Sequence, residues 1–115
     1  MLSHDDIDSL QKTLDDLYSK LNAAYWAAST VEGKDEIHGA IDVVNGVLDQ
    51  LDKAGLQSDN DAIKVLTDSL QVVNKDIGDL QSQLSAIVHN VTVASEVVGA
   101  IDAAITIVGK ITAIA

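Results

Sequence analysis

Cysteine, proline, phenylalanine and arginine are all missing from this chain of 115 residues. The lack of cysteine removes any disulfide framework, any thiolate zinc site and any cysteine nucleophile. Because there is no proline, no helix interior need be interrupted. With no arginine, seven lysines stand alone against 18 acids, 15 of them aspartate. The resulting net charge of −11 repels phosphate backbones, so a nucleic-acid partner is not expected. Aromatic residues are almost as scarce, with one Trp and two Tyr, so a core must be built from aliphatic side chains. The glycines are scattered singly and form no phosphate-cradling loop. The opening residues MLSHDDIDSL lack the basic and apolar regions of a Sec-type signal peptide. The expectation is a soluble protein, cytoplasmic or exported by a signal-less route.

What remains is helical periodicity in a chain the size of one domain, 1–115. Ile7, Leu10, Leu14, Leu17, Leu21, Ala24 and Ala28 recur at alternating steps of three and four, behind a Ser3 cap and the carboxylates of Asp5 and Asp6. Ser29-Thr30-Val31-Glu32-Gly33 breaks that register, and Ile37, Ile41, Val44, Leu48 and Leu51 begin a second series out of phase with the first. Gly55-Leu56 suits a helix end, and Ser58 or Asp59 suits the next cap. Gly39 and Gly46, seven residues apart, read as points of close approach for a neighbouring helix. From Ile63 the series continues through Leu66, Leu70, Val73, Ile77, Leu80, Leu84, Ile87, Val91, Ala94, Val98, Ile101, Ile105 and Val108 without a slip. A bend among the β-branched and capping residues 89–93 predicts an all-α, antiparallel up-down four-helix bundle, with helices at about 3–29, 34–54, 59–89 and 92–114. The alternative is an unbroken helix ~80 Å long, forming a hairpin that dimerises as a coiled coil. Tyr25 and Trp26 read as large side chains filling one end of the bundle.

The chain is organised around Val91–Ala115, where ten Val and Ile residues are accompanied by only three charged side chains, Glu96, Asp102 and Lys110. On a helix, Thr92, Ser95, Glu96, Gly99, Asp102, Thr106, Gly109 and Lys110 form one narrow polar stripe, leaving more than half the circumference apolar. Burial of those ten side chains within a protein would stabilise it by roughly 15–30 kcal/mol before chain entropy. As a membrane span, the same residues contribute about −3 to −6 kcal/mol, and Asp102 alone costs ~3. A constitutive span is therefore disfavoured, and insertion would be conditional on assembly.

Motifs that carry chemistry are weak. His38 shares a helix face with Asp35 and Asp42, but it lacks the paired Glu-x-x-His pattern of bundle metal sites. Ser58-Asp59-Asn60-Asp61 lacks the glycine and glutamate of a calcium loop, because Lys64 and Leu70 occupy those positions counted from Asp59. No serine sits in a G-x-S-x-G turn. The sequence thus predicts no catalytic residue, no metal and no cofactor. It predicts association with a protein partner or with itself, as a homo-oligomer, through the C-terminal helix. Val97, Ile101, Ile105 and Val108 are the expected core seam, while Val93, Ala100, Ala104, Ile107, Ile111 and Ile114 are the expected association surface. The alternatives are a membrane-active or pore-forming component whose residues 91–115 insert into lipid, and a binder of an apolar ligand or lipid surface.

Overall fold

Leu10, Leu14, Leu17, Leu21 and Ala24 are fully buried, as their three-four spacing requires. Leu66, Leu70, Val73, Ile77, Leu80, Leu84 and Ile87 are buried in the same way on the third helix. The computed structural model describes residues 4–54 and 60–114, and their side chains except at positions 4, 52–54, 60–63 and 114. The elements are α1 (His4–Ala27), α2 (Val31–Ala54), α3 (Asn60–Ile87) and α4 (Val91–Ile114). Each helix packs on its neighbour in chain order, and α4 closes the ring against α1, giving an up-down four-helix bundle of 44 × 20 × 18 Å. The anticipated end of α2 at Gly55-Leu56 and the Ser3, Ser58 and Asp59 caps lie outside the described residues.

The long-hairpin alternative fails at residues 88–90, which are not helical. Asn90 Oδ1 there accepts the Val93 N–H at 3.2 Å, capping α4 and stopping α3 from running through. At the same end of the bundle, Thr30 Oγ1 accepts the Gly33 N–H at 3.0 Å, so α2 begins at Val31, three residues before the expected start. The two turns are bonded to each other. Ala28 and Val88 form an antiparallel bridge, and the Ile87 carbonyl accepts both the Ser29 N–H at 3.0 Å and the Ser29 Oγ–H at 3.1 Å. That bridge ends α1 at Ala27 and α3 at Ile87, each two residues before the expected end.

Two expectations are corrected within the chain. A Cβ added at Gly39 or Gly46 would meet nothing within 4 Å, so no helix of the bundle uses these glycines for close approach. Both are exposed in a helix interior, where alanine is better by about 1 kcal/mol. Gly39→Ala and Gly46→Ala are therefore each expected to raise the unfolding free energy by about 0.5–1 kcal/mol in urea titrations. Trp26 does not fill the bundle end: it is 78% exposed, and only Tyr25 of the pair packs on the core. Residue 26 falls on the outer side of α1, next to a position on the apolar stripe but not on it.

Candidate functional site

The helix that the sequence marks as central has its apolar arc divided between core and flanks. Val97, Ala100, Ile101, Ala104, Val108 and Ile111 are buried, whereas Val93, Ile105 and Ile107 are partly buried against the core. Ala100, Ala104 and Ile111 thus belong to the core and not to an outer surface, and Ile105 is a flank and not part of the seam. The reason is geometric. α4 lies between α1 and α3 and is covered from both, so the buried arc is wider than one seam. The side chain of Ile114 lies outside the described residues.

The polar stripe is the outward face. Thr92, Ser95, Glu96, Gly99, Asp102, Thr106, Gly109 and Lys110 are all exposed, as are Ala103 and Ala113. Its charged side chains are turned sideways onto the neighbouring helices. Lys20 of α1 lies 3.8 Å from Glu96, and Lys110 lies 4.0 Å from Asp6 of α1. Gln81 of α3 donates from Nε2 to Asp102 Oδ1 at 2.8 Å and to the Val98 carbonyl at 3.3 Å. Thr106 Oγ1 donates to the Asp102 carbonyl at 2.9 Å, and Thr112 Oγ1 to the Gly109 carbonyl at 3.1 Å, so these hydroxyls bond back to their own helix. The midline of the face, Thr92, Gly99, Thr106 and Ala113 at steps of seven, holds only small uncharged residues. Nothing stands within 4 Å of a Cβ added at Gly99 or Gly109. With Glu96 and Asp102 against Lys110, α4 has a net charge of −1 of the chain's −11.

Among the described residues, Val91–Ala113 is the one stretch long and apolar enough to cross a membrane, and 28% of its most apolar window is buried. No polar or charged residue is buried among the described residues, and none of their acidic or histidine side chains gather in a group that could hold a metal. His38 Nδ1 lies 3.4 Å from Asp42 Oδ2, with both groups exposed, and Asp35 is not part of that contact. The exposed stripe was legible in the sequence. Its sideways charges were not, although Glu96, Ala103 and Lys110 repeat at seven along one edge of the face and Ser95, Asp102 and Gly109 along the other. No protein-family model, curated protein or solved structure matches the chain.

Proposed function

We propose that this protein acts without catalysis, by packing the outward face of α4 against the same face of a second copy. The observation that carries the reading is the disposal of charge: Glu96, Asp102 and Lys110 each engage a neighbouring helix, which leaves a smooth midline open to a close helix–helix approach. Electrostatics support a second copy at this face. Two molecules of net charge −11 repel wherever carboxylates meet carboxylates, and α4 is the helix with the smallest net charge. A 24-residue helix is about 36 Å long, so a strip one helix wide buries roughly 400 Å² per partner. That is at the low end of specific interfaces, and the dimer is accordingly expected to be reversible and concentration-dependent.

Sedimentation analysis checks this. The wild-type chain is expected to shift towards dimer as concentration rises. Gly99→Arg and Thr106→Arg, both on the exposed midline, are expected to stay monomeric with a urea midpoint no lower than that of the wild type, since arginine is the better helix former at both positions. A wild-type chain that is monomeric throughout the micromolar-to-millimolar range defeats the proposal.

The length and apolar character of Val91–Ala113 favour a second reading, insertion into lipid. Insertion would require the bundle to open, because the same helix supplies Val97, Ile101, Val108 and Ile111 to the core. Leakage of phosphatidylcholine vesicles that stops when α1 and α4 are cross-linked would select this reading over the first.

A further inference from the structure

The three aromatic rings of the chain converge on one groove, on the side of the molecule between α1 and α2. Tyr18, Asn22, Tyr25 and Trp26 line it from α1, His38 and Asn45 from α2, and its cavity volume is about 350 Å³. That volume is within the range of small binding sites. The indole of Trp26 meets the Tyr25 ring edge-on, with centroids 5.3 Å apart and planes at 89°. Lys34 fixes the pair. Its Nζ donates to the Tyr25 carbonyl at 3.0 Å, in the last turn of α1, and lies 4.8 Å from the Tyr25 centroid and 5.4 Å from the Trp26 centroid. A 78%-exposed tryptophan is thus held in place by its neighbours without being covered by them.

We propose that this groove binds a proline-rich segment of another protein in the polyproline II conformation. Two observations select that occupant. First, the groove offers unused donors: the carboxamides of Asn22 and Asn45 and the hydroxyls of Tyr18 and Tyr25 make no hydrogen bond among the described residues. The Asp42 carboxylate at its edge faces His38. A helix has already satisfied its carbonyls, whereas a polyproline II segment has no internal hydrogen bonds, and at each proline it has acceptors but no N–H. Second, Tyr18 and Tyr25 are seven residues apart on α1, about 10 Å along the helix, and three residues of polyproline II span about 9 Å. Helix positions at that interval match prolines three apart, and aromatic-lined grooves are the recurring receptor for such segments. The site is independent of the α4 face.

Trp26 is the sole tryptophan, so its fluorescence reports on this groove alone. Titration of the full chain with blocked decaproline is expected to give a saturable blue shift of the emission. Asn45→Ala is expected to weaken binding roughly fivefold. Trp26→Ala, followed by amide chemical shifts because the reporter is gone, is expected to weaken it at least about tenfold. Both variants should keep the wild-type thermal midpoint, since both positions are exposed. An emission spectrum unmoved by millimolar decaproline overturns the proposal. So does an equal response to a glycine-serine decapeptide, which would mean non-specific contact. A response to cellotetraose in place of decaproline also overturns it, by identifying a carbohydrate site.

Discussion

Ile101→Asp is expected to leave the chain unfolded at 25 °C, with the helical circular dichroism of the wild type largely lost. Ile101 is fully buried midway along α4. The substitution removes an apolar side chain, forfeiting about 1.5–3 kcal/mol of transfer energy. It also places a carboxylate in a core where no polar or charged residue is buried among the described residues, at an effective cost of several kcal/mol more. Domains of this size have about 5–15 kcal/mol of stability in all, so the two losses together use most or all of it. The control lies two residues away: Ala103 is exposed, and Ala103→Asp is expected to shift stability by less than about 1 kcal/mol. Urea titration of both variants separates a core helix from one merely lying on the bundle. If Ile101→Asp melted with the wild-type midpoint, α4 would not be packed as described.

That pair of positions also shows where the sequence was readable. On α1 and α3 most of the large apolar residues share one stripe, mostly leucine, and apart from Trp26, Val65 and Val72 the other faces are largely polar or charged, so one rotation of each helix buries far more than any other. On α4 the apolar residues cover more than half the circumference, and several rotations bury nearly the same area. Periodicity therefore placed Ile105 in the seam and Ala104 outside it, and the packing of α1 and α3 on either side reverses the two. The unbroken spacing from Ile63 to Val108 was misleading for the same reason: a short turn at 88–90 can preserve an apolar rhythm while exposing Val91 to 81%. The outward face of α4 was visible as a polar stripe. The pairing of Glu96 with Lys20 and of Asp102 with Gln81 depends on which helices become neighbours, which no local pattern encodes. Trp26 was misread because a large side chain near the end of a stripe is normally core. Its exposure follows from its place one residue beyond Tyr25.

The second large effect concerns the end of the bundle where the two turns are bonded. Gly33→Ala is expected to destabilise the protein by up to about 2 kcal/mol, although the same exchange at Gly39 or Gly46 stabilises it. A Cβ at position 33 would lie 2.6 Å from Ile87 Cγ2, 3.0 Å from Thr30 Oγ1 and 3.4 Å from Ile87 Cβ. Neither neighbour is free to yield. Cγ2 is carried directly on a branched Cβ with little rotamer freedom, and the Ile87 carbonyl is held by both the N–H and the hydroxyl of Ser29. Thr30 is held by its capping bond to the Gly33 N–H. Overpacking of this kind costs about 1–3 kcal/mol, more than the ~1 kcal/mol that alanine gains as a helix former. The steric origin can be isolated with Ile87→Ala, which removes Cγ2 and by itself costs about 2–5 kcal/mol. If the clash is the cause, the double variant loses less than the two single variants combined, with a coupling of about 1–2 kcal/mol across a four-protein urea series. Strict additivity, or a Gly33→Ala variant as stable as Gly39→Ala, would mean that the first turn of α2 does not approach the end of α3 this closely. The same contact bears on the aromatic groove, because Lys34 follows Gly33 directly and reaches back to hold Tyr25 and Trp26. Displacing the first turn of α2 should therefore move the emission of the single tryptophan in Gly33→Ala and return it towards the wild-type value when Ile87→Ala is added.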